Sequence, residues 1–158
     1  KDAVVASMAL CEAAAYYKTK NMTLWDAMIA MYERYGYYQD GITAITLKGI
    51  EGLEKIGTIM NTLRADAPKK IGAYQVTAVR DYKKDTITDV ATGEVRPTGL
   101  PSSNVLYYEL TDDAWVCVRP SGTEPKVKFY FGIKGTSIAD AKAEAMKEAV
   151  NALVEKML

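Results

Sequence analysis

Arg119-Pro-Ser-Gly-Thr-Glu-Pro-Lys-Val-Lys128 gathers a guanidinium, two hydroxyls, a glycine and two ammonium groups in one short stretch. A phosphate monoester carries nearly two negative charges and several acceptor oxygens, and these are groups that can meet it. Arg119 offers a planar fork of donors that serves two phosphate oxygens at once. Ser121 and Thr123 each add a hydroxyl donor. Gly122 leaves room for close approach and lets successive backbone N–H groups converge on one point. Lys126 and Lys128, two apart on an extended segment, share a face. Each charge-assisted hydrogen bond of this kind contributes roughly 1.5–3 kcal/mol. A plainer reading stands beside this one. Pro120, Ser121, Gly122 and Pro125 are ordinary turn residues, surface lysines are common, and Glu124 suits an anion site only if it points away. From the residues alone, the stretch is a phosphate-holding loop or a decorated turn.

Either reading needs strands on both sides. Ala114–Arg119 precedes the loop, and Val127, Phe129, Phe131 and Ile133 alternate with Lys128 and Tyr130 after it, a strand with one buried face. Asn104–Leu110 and Tyr74–Tyr82 read as further strands, the former joined to its successor by a Thr-Asp-Asp turn at 111–113. Tyr37–Gly49 reads as a strand entered through a Gln-Asp-Gly turn, and residues 36–41, with Gly36 and Gly41, as a hinge or an ordinary loop. Ile50, Leu53, Ile56, Met60 and Leu63 predict a helix ending near Pro68. Ser137 and Asp140 resemble a capping box opening a last helix, with Ile138, Ala141, Ala145, Ala149, Leu153 and Met157 as its stripe. Residues 85–103 are poorly periodic. The order predicts an α+β fold, a two-layer domain over 37–158 with an antiparallel sheet and two helices.

Residues 1–36 fit that domain less well. Two helices are predicted, one nearly apolar all round from Ala3 to Tyr17, the other capped by Thr23 and Asp26 and ending at Gly36. Their apolar area exceeds what one layer of a small domain covers. The expectation is the helical end of a truncated, preceding α/β domain; the alternative is that they cover the free sheet face. Met28, Met31 and Met60 are expected to fill the core, and Trp25 and Trp115 to pack.

Composition narrows the function. The chain has 158 residues, with 20 basic and 20 acidic side chains and net charge zero. That argues against a broad surface for nucleic acid or anionic lipid, despite 11 Tyr and the Asp-Tyr-Lys-Lys-Asp run at 81–85. No apolar run is long enough to span a bilayer. No His is present to serve as base or metal ligand. Cys11 and Cys117 suggest no disulfide framework, and a cytoplasmic setting is expected. Asp112 and Asp113 are expected to form a turn, not a metal pair.

The segment Val118–Tyr130 strongly resembles the phosphate-binding loop in the C-terminal domain of the α-D-phosphohexomutases, the phosphoglucomutase and phosphomannomutase family. Residues 1–38 resemble the helical end of that family's third domain, and 44–68 the entry to its fourth. The resemblance implies a TATA-binding-protein-like fold for 37–158. It also implies interconversion of hexose 1-phosphate and 6-phosphate through a bisphosphate intermediate, with a phosphoserine carrier and magnesium. On it, Arg119, Ser121, Gly122, Thr123 and Lys128 hold the non-reacting substrate phosphate; the family often has Arg at the last position, and Lys126 is a less certain helper. The family's serine loop, its Asp-Gly-Asp-x-Asp metal loop and its Glu-x-x-Ser sugar-reading loop are not found. No catalytic residue and no metal ligand is therefore assigned within these 158 residues, and the chain alone is expected to be inactive. Its expected partners are the hexose phosphate and the upstream domains of the same chain. A stand-alone phosphate- or phosphosugar-sensing module remains the reading from a different class.

Overall fold

The computed structural model describes residues 2–138, 140 and 142–158. Two compact units are present, one reaching to Tyr37 and one from Tyr38 to Leu158. In the first, α1 (Ala3–Lys18) opens on Asp2, whose carboxylate accepts from Val5 N at 3.0 Å. The second helix, α2 (Leu24–Tyr35), has the reciprocal cap expected of its sequence. Thr23 Oγ1 accepts from Asp26 N at 3.1 Å, and the Asp26 carboxylate accepts from Thr23 N at 2.8 Å. The Thr23 amide and hydroxyl, both donating to the Asp26 carboxylate, hold that carboxyl below its ordinary range. Gly36 ends α2 at φ 111°, ψ 155°, a conformation that only glycine adopts freely. Neither helix buries a residue. Trp25 and Met31 are exposed, contrary to the expectation that they pack, whereas Leu24 and Met28 are partly buried.

The second unit carries the sheet. In chain order it contains β1 (Tyr37–Thr46), α3 (Gly49–Ala65), β2 (Lys70–Ile71), β3 (Tyr74–Asp81), β4 (Thr86–Asp89) and β5 (Val95–Arg96). There follow β6 (Leu106–Leu110), a 3-10 turn (Thr111–Asp113), β7 (Trp115–Pro120), β8 (Lys126–Gly135) and α4 (Lys142–Glu155). The sheet order is β1-β8-β7-β6-β3-β4-β5, with β2 beside β3. The pairings from β2 to β8 are all antiparallel. The class is α+β, as the sequence predicts.

Period-2 alternation places Leu106, Tyr108 and Leu110 of β6 on one face, with Val116 and Val118 of β7 and Val127, Phe129, Phe131 and Ile133 of β8. Both helices lie on that face, α3 through Ile56, Ile59, Met60 and Leu63 and α4 through Met146, Val150 and Val154. Each fully buried side chain of this size contributes roughly 1.5–3 kcal/mol. One charge enters the layer. The buried Asp81 on β3 accepts from Arg64 Nε of α3 at 3.2 and 3.3 Å and from Lys83 N at 3.1 Å. Arg64 also donates to Asn104 Oδ1, and the Tyr108 hydroxyl donates to Leu63 O at 3.3 Å.

Several expectations need correction. Residues 37–41 are strand, not a turn or loop, so a hinge would be confined to Gly36. Gly41 is required mid-strand because a Cβ there would fall on the Phe131 ring. Ile50 and Leu53, expected on the α3 core face, are exposed, and Ile59 takes a core place instead. On α4 the core stripe is Met146, Val150 and Val154, one residue along from the expected one. Of that expected stripe, Ile138 precedes the helix and is exposed, Ala145 is exposed, Ala149, Leu153 and Met157 border the core, and Ala141 lies outside the described residues. Asp140, not Ser137, faces the helix start, accepting from Lys142 N at 3.1 Å and from Thr136 N at 2.8 Å. Residues 85–103 contain β4 and β5, too short for a periodic signal.

Candidate phosphate site

The other sheet face carries the polar residues of β7 and β8. Register partners across this hairpin are Cys117 with Tyr130, Arg119 with Lys128, and Pro120 with Val127. Partners share a face, so Arg119 and Lys128 stand side by side, with Cys117 and Tyr130 next along the strands. The loop closes through Ser121 N donating to Lys126 O at 2.7 Å. Its far end is tied to the sheet edge by Leu47 N, just past β1, donating to Pro125 O at 2.9 Å.

Inside the loop the Ser121 hydroxyl accepts from Glu124 N at 3.2 Å and from Thr123 N at 3.4 Å. Two N–H donors on its lone pairs leave Oγ one thing to offer outward, its own proton. They also draw electron density from Oγ. With both acceptor sites engaged inside the loop, Ser121 is placed to act outward as a hydrogen-bond donor. Gly122 is not demanded by the fold. Its φ is outside the left-handed region, and a Cβ there would meet no atom within 4 Å.

Arg119, Pro120, Ser121, Gly122, Thr123, Glu124, Lys128 and Tyr130 line one concavity of about 270 Å³. All five residues singled out in the sequence are thus brought together. Lys126 is not part of the lining. Its backbone closes the hairpin instead, donating to Glu124 O at 2.7 Å. Among the described residues, neither Arg119 nor Lys128 has a carboxylate in ion-pair contact. Glu124 borders the concavity without pairing either of them. Two uncompensated cations, a donor hydroxyl and an open glycine can bind and orient an oxyanion and stabilise its charge. Burial pushes the Cys117 thiol up, and the nearby Arg119 guanidinium pulls it part of the way back.

Tyr130 is the lining residue that sequence reasoning missed. Its signal was available, two residues beyond Lys128 and so on the same face, but its place in an alternating strand explained it sufficiently. Among the described residues no group of three or more His, Cys, Asp or Glu converges to hold a metal ion. No described helix is long and apolar enough to cross a membrane.

Known proteins resemble this chain over nearly its whole length. Residues 60–151 match the family of the phosphoglucomutase/phosphomannomutase C-terminal domain. A phosphoglucomutase of a bovine strain of Staphylococcus aureus is 32% identical over 154 residues, covering 98% of this chain and 27% of the relative. The phosphoglucomutase of another strain of that species, USA300, is 31% identical over the same span. The chain therefore spans about a quarter of the length of the curated relatives it matches. Among solved structures it is similar to the open form of the exocytosis-sensitive phosphoprotein pp63/parafusin, a Paramecium phosphoglucomutase. That similarity has a TM-score of 0.49 and 14% identity over 89% of this chain and 24% of the other. This chain belongs to the phosphoglucomutase/phosphomannomutase family.

Proposed function

We propose that this chain is the C-terminal part of a phosphohexomutase, a phosphoglucomutase in the first place and a phosphomannomutase as the alternative. In this reading the concavity between β7 and β8 holds the phosphate of a hexose phosphate. One observation carries it: Arg119, Ser121, Gly122, Thr123 and Lys128 line a single concavity, and among the described residues neither cation is in ion-pair contact with a carboxylate. The isomerisation of hexose 1-phosphate and 6-phosphate runs through a bisphosphate that must turn around. The loop's part is to grip the phosphate that is not reacting, release it and grip the other. Arg119 supplies the forked grip, Lys128 a point charge, and Ser121 and Thr123 directional donors. Positioning and electrostatic stabilisation are the contributions open to these residues.

The phosphoryl carrier and the magnesium that assists it belong, in this proposal, to upstream domains of the same chain. The described residues do not fit a magnesium site, so no step is assigned to the metal here. Residues 1–36 are read as the end of the preceding α/β domain. The exposed Val4, Met8 and Leu10 of α1 support a covering layer supplied from outside these residues. A cytoplasmic setting suits the phosphorylated sugar substrate.

The test is a titration of inorganic phosphate and of glucose 6-phosphate, followed by amide chemical shifts. Amides 119–128 should move with both ligands, and Arg119→Ala should abolish the response. Shifts scattered over the sheet, or none, would remove the phosphate assignment. Incubating the purified 158-residue chain with glucose 1-phosphate should yield no glucose 6-phosphate, and measurable isomerisation would refute the division of labour.

A further inference from the structure

We propose that Tyr130 is the platform on which the organic part of the phosphorylated ligand rests, and so a specificity-determining residue of this concavity. The inference builds on the phosphate assignment of the same site. The open sheet face carries three aromatic side chains near β7. Two are already engaged: Tyr107 and Trp115 stack with centroids 5.5 Å apart and planes 12° from parallel, and Arg80 sits over the Tyr107 ring at 5.6 Å. Tyr130 differs. Among the described residues its ring has no aromatic partner and no cation over it, and its hydroxyl has no hydrogen-bond partner. It is half-buried and lines the concavity beside Lys128.

The order along the hairpin sets what each residue meets. The loop donors lie at the tip, the Arg119–Lys128 pair comes next, and Tyr130 with its partner Cys117 lies one step further from the tip. A phosphate seated on the cations therefore leaves Tyr130 beside it, about 6–7 Å along β8 from the Lys128 backbone. That is the reach of a group esterified to the phosphate, not of the phosphate itself. A flat ring there presents an apolar surface with a polar rim, which matches the C–H face and hydroxyl edge of a pyranose. Inorganic phosphate has nothing to place on it.

The experiment compares inorganic phosphate and glucose 6-phosphate by isothermal titration, on the native chain, Tyr130→Phe and Tyr130→Leu. The native chain should prefer glucose 6-phosphate, and Tyr130→Phe should keep that preference. Tyr130→Leu should lower it by about fivefold, a typical aromatic contribution, with phosphate affinity unchanged. If Tyr130→Leu leaves the preference intact, or weakens both ligands equally, the inference is overturned while the phosphate site stands. If the native chain binds neither ligand, the phosphate assignment itself fails. Should Tyr130→Leu not fold, nuclear Overhauser contacts between Tyr130 ring protons and sugar C–H protons in the native complex decide the matter, and their absence overturns the inference.

Discussion

Arg119 and Lys128 are direct register partners across the β7–β8 hairpin. Like charges placed opposite one another in an antiparallel pair weaken it. Neither has a carboxylate partner among the described residues, so the pair costs stability until an anion fills the concavity. Removing one cation should therefore leave the ligand-free chain as stable or more stable, by a few tenths of a kcal/mol. It should also remove stabilisation by phosphate. In the native chain, phosphate at a hundred times its dissociation constant should add about 2.7 kcal/mol. Thermal unfolding of native, Lys128→Met and Arg119→Ala chains, with and without phosphate, gives the comparison. Lys128→Arg should bind phosphate more tightly than the native chain, because a guanidinium can engage two oxygens. A Lys128→Met chain that is markedly less stable without phosphate would show the lysine to be structural.

Gly122 separates folding from binding. A methyl group there meets no protein atom within 4 Å, and the backbone conformation is open to any residue. Gly122→Ala should change stability by less than about 0.5 kcal/mol, as at an ordinary surface position. Phosphate affinity should fall by about tenfold or more, since the methyl fills open space at the loop that a close-lying anion would need. Urea unfolding and phosphate titration on the same samples test both halves. Unchanged affinity would mean that the anion does not approach the loop from this side.

Gly41 and Gly57 make the opposite contrast within the scaffold. At Gly41, in mid-β1, an added Cβ would overlap the Phe131 ring, which is itself buried in the core. Overpacking of this kind costs about 1–3 kcal/mol. At Gly57, inside α3, nothing lies within 4 Å of an added Cβ. Gly57→Ala should stabilise the chain by about 0.4–1 kcal/mol by restricting the unfolded state and favouring helix. Unfolding midpoints should move in opposite directions for the two variants.

The parts of this protein legible in its sequence were those governed by local rules. The alternation of Val127, Phe129, Phe131 and Ile133 has one solution, and so does the Thr23–Asp26 cap. The loop from Arg119 to Thr123 was readable because its chemistry and its geometry are contiguous. What escaped needed knowledge of the opposite side of a contact. Gly41 looked like a turn because Phe131, ninety positions away, is invisible to a local reading. On α4 an alanine-rich stripe at helical spacing competed with Met146, Val150 and Val154, and Met146 and Val150 took the core over Ala145 and Ala149 because they fill more of the interlayer space. The strands β4 and β5 are four and two residues long, held by pairing across a hairpin and not by any pattern of their own.

The Arg64–Asp81 pair is the second electrostatic commitment of the fold. Both side chains are more than nine-tenths buried, and the carboxylate links α3 to β3 and to the Lys83 amide. Breaking such a pair leaves an uncompensated buried charge and costs about 3–5 kcal/mol. Asp81→Asn should be destabilised on that scale because Arg64 keeps its charge. The double variant Asp81→Asn with Arg64→Met should recover a large part of the loss. Equilibrium unfolding in urea measures both, and a single variant within 1 kcal/mol of the native chain would show that water or Asn104 satisfies the guanidinium.

Cys117 offers a built-in reporter of the proposed phosphate site. Burial pushes its thiol up, and the positive charge of Arg119 opposes that shift. The thiolate is the reactive form, so alkylation at mildly alkaline pH reads the balance. Cys11 on α1 is exposed and should be modified first, serving as an internal control. Phosphate bound at Arg119 neutralises the guanidinium, so it should raise the Cys117 thiol further and slow its alkylation without changing Cys11. Arg119→Gln should slow Cys117 in the absence of phosphate and abolish the phosphate effect. Simple shielding by a bound anion also slows the reaction, and the pH profile separates the two. An electrostatic link moves the midpoint of the rate profile to higher pH, whereas shielding lowers the plateau and leaves the midpoint in place.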